Sequence, residues 1–414
     1  MPASVVNRDA IPYVDSVYNN FEGEPGIGDM AQKYDFKSKF YLYYIRNYAK
    51  AMQYADSSLF LLKPHYNSKR YNLNYSLAYL RKGDILYQQK YYSSAYQWYY
   101  EGKNLMRAQD SCSYNKYMTN FNSSLAMVSY DQAKYKQAIK FWHETLNKMT
   151  CDNSFDGFYH KQGVYDDIGL CYRNLHRPDN AIVYFDKAIA FIKSKETAYP
   201  NKHTFLQIAL GLVYGNKGDA YLQKQMYTQA AQCYKVSINI NSQKNYLAGD
   251  ARLSRLKLAS LYIKTSRFNE AKLQLDTLKP ILDTRYRPEM LRWLQTNAAY
   301  YKNAPGGDAS MAYDYLSKYV TLKDSVQTEQ RILASANFSN EFNVMQQQNN
   351  FKTEVKNSRF NNILIYSTVL LVVLISAVTG SVLIRNGGLS QRGDKNKADT
   401  HQEKEVYLNW YDEL

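Results

Sequence analysis

Proline and glycine are scarce in this sequence, nine and 18 among 414 residues, and strictly alternating apolar runs are hard to find. The closely spaced turns and period-two patterning of a sandwich or barrel are therefore missing, which leaves an all-α reading. Cysteine is nearly absent: Cys112, Cys151, Cys171 and Cys233 form no CxxC pair, and the six histidines are scattered. No metal site is expected from such spacing. The patterns GxxxxGK[ST], HExxH and GxSxG and the Rossmann glycines do not occur, so neither enzymatic chemistry nor a cofactor is expected. His176-Arg-Pro-Asp-Asn180 has the letters of a kinase catalytic loop, but it falls where two helices of a pair should turn, with Pro and Asp as turn residues. Ala304-Pro-Gly-Gly-Asp308 reads as another turn rather than a phosphate cradle, because no strand precedes it. The first twenty residues lack the apolar core of a secretion signal.

What is present is enough to fold. Hydrophobic residues make up 45% of the chain and charged ones 21%, so a large core can be buried and a disordered polymer is excluded. The net charge is +15, yet Lys and Arg are dispersed singly, which describes a solvated basic surface and no nucleic-acid partner. Forty-two tyrosines are the most unusual feature of the composition. Cys171 and Cys233 fit inside helices as small core residues. Cys112 and Cys151 fall near the ends of two successive repeat units, where an oxidising compartment would let them pair; free thiols are the expected state.

The stretch GDAYLQKQMYTQAAQCY, Gly218 to Tyr234, exposes a spacing that recurs: a small residue, then an anchoring alanine with large residues three before and four after it. The fullest units are Gly83, Tyr92, Ala95 and Tyr99; Gly169, Ala181 and Phe185; Gly218, Tyr227, Ala230 and Tyr234; and Ala259, Phe268, Ala271 and Leu275. Weaker units surround Ala51, Ala138 and Ala312. A small residue lets two helices approach closely, while large residues four apart share one face and fill the groove of the next pair. The series resembles the tetratricopeptide repeat, with anchors about 41 to 49 residues apart rather than the usual period of about 34. The expected fold is thus a solenoid of about seven helix pairs over residues 31–321, after an N-terminal segment 1–30. Such solenoids hold a protein or peptide on the concave face made by the first helix of each pair. Candidate inward residues are Tyr87, Tyr130, Asp166, Arg173, Asn216, Asp219 and Gln223. The Lys and Asn set with which some relatives grip a C-terminal carboxylate is not found on consecutive units.

Residues 363–384, ILIYSTVLLVVLISAVTGSVLI, contain no charge. At about 1.5 Å per residue this run spans a hydrocarbon core of about 30 Å, and the reading is one membrane helix over 362–385, with a polar tail at 386–414. Residues 322–361 read as a connecting helix, with a dimerising coiled coil left open. Basic residues flank the span on both sides, so charge does not orient it. The order of repeats, Leu322-Lys-Asp-Ser-Val326, a Gln-rich helix and one span resembles the sensor half of tetratricopeptide-repeat membrane regulators of the Bacteroidetes. That resemblance implies periplasmic repeats behind a signal sequence and a helix-turn-helix or histidine kinase output inside the cell; this sequence shows neither the signal nor the output domain. The functional expectation is a non-enzymatic, membrane-anchored binding protein of a signalling system. The alternative is a tail-anchored cytoplasmic scaffold.

Overall fold

Ala51, Ala95, Ala138, Ala181, Ala230 and Ala271 each occupy the fourth residue of a helix, and all six are completely shielded from solvent. The computed structural model describes residues 10–19, 26–107, 111–151, 154–282, 287–329, 360–361 and 363–371. After α1 (Ala10–Asn19) come α2 (Ile27–Phe40) paired with α3 (Tyr48–Leu62), α4 (Asn72–Gln88) with α5 (Tyr92–Leu105), and α6 (Ser111–Asp131) with α7 (Tyr135–Lys148). Then follow α8 (Phe155–Asn174) with α9 (Pro178–Lys193), α10 (His203–Gln223) with α11 (Tyr227–Asn241), and α12 (Ala248–Lys264) with α13 (Phe268–Leu278). A seventh pair joins α14 (Arg287–Asn303) to a helix over 309–329, in which Ala312 again is fourth. No strand occurs among the described residues. The chain divides into two units, 1–342 and 343–414, and the helix pairs all belong to the first.

The small-and-large signature is a direct contact between the two helices of a pair. A Cβ placed on Gly169 would come within 2.5 Å of the Phe185 ring, and one on Gly218 within 2.6 Å of Tyr234. Gly83 stands in the same relation to Tyr99. On α10 this close approach extends along the helix, with Gly211 against Asn241 and Gly215 against Ser237.

Every turn inside a pair reverses the chain through one residue of positive φ: Arg46, Lys90, Ala133, His176, Gln225 and Ser266, each two residues before the second helix, and Gly306 in the seventh. The closing bonds repeat as well: Tyr91 N–H donates to the Leu86 carbonyl, Lys134 to Ser129, Arg177 to Tyr172, Met226 to Tyr221 and Arg267 to Tyr262. These bonds satisfy carbonyls that the first helix leaves open at its end. His176-Arg-Pro-Asp-Asn180 is one such turn, with Pro178 opening α9. The long repeat period comes chiefly from long first helices: α6 and α10 have 21 residues and α8 has 20.

The cysteine expectation is overturned. Cys112, at the start of α6, is bonded to Cys151, just past α7, with Cα atoms 5.6 Å apart. The two cysteines belong to one helix pair, not to successive units. Their separation of 39 residues is the length of a helix, a turn and a returning helix, which brings its two ends back together. Cys171 and Cys233 are free and buried, as the helical pattern implies.

Among the described residues no helix is long and apolar enough to cross a membrane. Of the uncharged run, residues 363–371 are helical with exposed side chains, and 372–384 lie outside the described residues, as do 330–359 of the connecting segment and the tail.

Candidate functional site

All seven candidate groove residues sit on first helices, and each is bonded to a neighbouring first helix. Tyr87 on α4 donates its hydroxyl proton to Asp131 Oδ2 on α6 at 2.6 Å. On the same helix Tyr130 accepts from Asn174 Nδ2 of α8 at 3.0 Å. Asp166 of α8 accepts from Asn216 Nδ2 of α10 at 2.9 Å. Arg173 Nη1 donates to Asp219 Oδ2 of α10 at 3.0 Å, and Gln223 Nε2 returns to the Arg173 carbonyl at 3.2 Å. Lys257 Nζ of α12 reaches the same Asp219 oxygen at 2.8 Å, while the Tyr234 hydroxyl of α11 donates to the other at 2.8 Å. A polar ladder thus crosses five first helices, α4 to α12.

The ladder has a second copy near the N-terminus. Asp84 accepts from the Tyr99 hydroxyl at 3.0 Å and from Arg81 Nη1 at 2.6 Å, and Arg81 Nε also binds Asp35 Oδ1 of α2 at 2.9 Å. In both copies an aspartate directly follows the close-contact glycine, and the tyrosine that covers that glycine passes beyond it to reach the carboxylate. At Gly169 the covering ring is Phe185 and the next residue is Leu170. Hydroxyl and carboxylate are present together or absent together, as expected where an unpaired buried polar group is costly. Sequence reading missed Asp131, Asn174 and Lys257, and it named Asp219 without its partners. The Gly-Asp pair with a tyrosine fifteen residues on was the available signal.

The electrostatics differ along the row. Burial pushes the Asp84 carboxyl up, against the pull of Arg81. Asp35 resists its own burial and lies below the usual carboxylate range because Arg81 and Lys39 face it. Asp166 is pushed up to about 6 by burial, partly offset by Asn216 and Arg173. Asp167 is pushed up to about 8 by burial and by the neighbouring Asp166. The Tyr87 hydroxyl is raised by burial and by the carboxylates of Asp131 and Asp167. Among the described residues no group of three His, Cys, Asp or Glu is placed to hold a metal ion.

A pH dependence follows. Asp166 and Asp167 hold their protons more tightly folded than unfolded, so the stability they contribute is fully present below the unfolded value of 3.8 and is lost as pH rises through about 6 and about 8. Between pH 6 and 9 the thermal midpoint of the wild type should fall relative to Asp167→Asn, whose amide cannot ionise. Melting curves that stay parallel across that range would rule out a raised Asp167 carboxyl.

The tetratricopeptide repeat family matches this chain at residues 163–193 and 212–244, within the pairs α8/α9 and α10/α11. A comparison with curated protein sequences found no match. Among solved structures, a signal transduction ATPase with numerous domains that carries a tetratricopeptide repeat sensor, from Pyrococcus horikoshii, is similar with a TM-score of 0.58 and 14% identity. That likeness covers 79% of this chain and 46% of the other, less than half of its length. The apo form of RapI is similar with a TM-score of 0.50 and 13% identity, over 72% of this chain and 99% of that one. A Rap protein complexed with competence and sporulation factor gives a TM-score of 0.42 and 13% identity, over 77% and 98%. At these identities the likeness is one of fold: the chain carries tetratricopeptide repeats in an all-helical solenoid.

Proposed function

We propose that this chain is a non-enzymatic, membrane-anchored binding protein that takes a protein or peptide on the inner face of its first helices and serves as the sensing part of a signalling or transcription-regulatory system. The polar ladder from Tyr87 to Lys257 carries the reading. It holds five first helices in register and presents hydroxyl, amide and carboxylate groups along one continuous face, which is how a helix-pair solenoid meets an extended partner. The uncharged run at 363–384 supports anchoring in the bilayer. The Cys112–Cys151 bond supports an oxidising compartment, and hence repeats outside the cytoplasm rather than a cytoplasmic scaffold. The repeat sensor of the Pyrococcus ATPase is a precedent in fold.

Leu371 lies near the middle of the apolar run. Leu371→Arg should raise the cost of insertion by at least about 2.5 kcal/mol and move the chain from the membrane pellet to the soluble fraction after alkaline extraction. Retention in the pellet would remove the anchor. Protease added to spheroplasts should cut the repeats; protection there, with cutting only after lysis, would place them inside and favour the scaffold.

A further inference from the structure

The seventh helix pair ends on a face that the repeat builds to be covered. In the six earlier pairs the residue four places after the anchoring alanine, among them Tyr99, Phe185, Tyr234 and Leu275, is at most 4% exposed. Much of that cover comes from the first helix of the next pair. Phe185 and Ile189 share a core with Leu206, Leu210 and Val213 of α10, and Tyr234 and Ile238 share one with Leu258 and Leu261 of α12. In the seventh pair the same two positions are Leu316 and Val320, and they stand 49% and 45% exposed. Tyr313, 74% exposed, extends them into one stripe at i, i+3 and i+7 of the helix over 309–329. Beside the stripe runs a groove of about 530 Å³ whose lining includes Ala298, Ala299 and Ala312. By repeat register it is the seat that α10 and α12 fill inside the solenoid.

The groove has a charge as well as an apolar lining. Lys302 lines it on the α14 side, Arg292 lies one turn before the lining residue Gln295, and Lys323 follows Val320 along the stripe, while Asp324 falls on the side away from α14. The three cations are exposed, and among the described residues none is paired with a carboxylate. One junction earlier a first-helix cation is answered by the incoming helix: Arg252 of α12 donates to Glu289 of α14 at 2.7 Å. We infer that the open face of the seventh pair receives an amphipathic helix of a partner protein, with an apolar stripe at i, i+3 or i+4 and i+7 and acidic side chains along its flanks. Its apolar positions take the part that Leu258 and Leu261 play on α12, and its acids the part of Glu289 on α14. A second copy of this chain suits the seat poorly, because it would set the same three cations against one another on a chain of net charge +15. The surface is separate from the inner face of the first helices and stands whether or not a ligand binds there.

The test uses the full-length chain in detergent and two helical peptides of about 18 residues, five turns long. Both carry leucine at i, i+4, i+7 and i+11; one has glutamate on the flanks, the other lysine. Fluorescence anisotropy should show the glutamate peptide binding the wild type and the lysine peptide binding far more weakly. Leu316→Glu, at a half-exposed position, should lower the affinity of the glutamate peptide by about tenfold or more, the scale of one lost interface anchor. Arg292→Glu/Lys302→Glu, which alters only exposed side chains, should invert the preference in favour of the lysine peptide. Lys195→Glu makes the same kind of charge change in the turn after α9 and should leave both affinities as they are. With benzoylphenylalanine in place of Tyr313, irradiation should crosslink the glutamate peptide to the stripe. Crosslinks to a second copy or to residues 330–359 of the same chain, with no peptide bound, overturn the partner helix. Equal binding of both peptides that survives the double charge reversal overturns the acidic flank, and binding unchanged by Leu316→Glu overturns the site.

Discussion

Gly218→Val should lower stability by about 3 kcal/mol or more, because even the first carbon of a side chain at this position would sit 2.6 Å from the Tyr234 ring. Neither partner has room to give way. Gly218 is buried on α10, and Tyr234 is completely buried on α11. The tyrosine is also tied at its far end, where its hydroxyl donates to Asp219 at 2.8 Å. Displacing the ring would release that bond and disturb the carboxylate that also holds Arg173 and Lys257. The substitution should therefore act twice, on the core of the pair and on the ladder. Urea unfolding of the two proteins measures the first effect. A second change, Tyr234→Leu, should recover part of the loss by vacating the space. If Gly218→Val melts with the wild type, the contact between α10 and α11 is not as close as described. If Tyr234→Leu adds its own full cost instead of compensating, the two residues do not share that space.

Reducing the Cys112–Cys151 bond should cost about 4 kcal/mol, the loop-closure value for a separation of 39 residues. The loss should concentrate in α6 and α7, since a solenoid is stabilised pair by pair. A reducing agent should lower the thermal midpoint of the wild type by about 8 °C or more and leave Cys112→Ser/Cys151→Ser unaffected. Thiol titration of denatured, unreduced protein taken directly from its native cells gives a sharper reading. Two reactive thiols, Cys171 and Cys233, are expected; four would dissolve the bond, and with it the support it lends to repeats outside the cytoplasm.

The helix pairs were legible because their signal is local. Ala230, Tyr227 and Tyr234 lie within one helix of 15 residues, and a period of 3.6 puts them on a common face wherever the helix is placed. Gly218 and Tyr234 are one turn apart in the chain, so their contact too is nearly local. The same regularity located the turn at His176. The polar ladder was legible only in half. Tyr87, Asp166, Arg173 and Asn216 stood out as polar residues on first helices, but Tyr87 meets Asp131 at a separation of 44 residues and Asp219 meets Lys257 at 38. Such partners are chosen by how neighbouring pairs stack, which a single repeat does not encode. Cys112 and Cys151 were misplaced for a related reason: treated as the ends of two units, they are the two open ends of one.

By itself, the sequence determined that the chain is helical, that its helices come in pairs closed by small residues against large ones, and that one uncharged run of 22 residues sits apart from them. Those properties rest on periodicity and composition, which survive whatever the tertiary arrangement. The tertiary structure alone decided which carboxylates meet other side chains: Asp219 gathers two cations and a hydroxyl, while among the described residues no side chain donates to the part-exposed Asp167, on a helix with the same pattern. Charge balance at a point depends on distances between helices about 40 to 50 residues apart in the chain, and only stacking sets those distances.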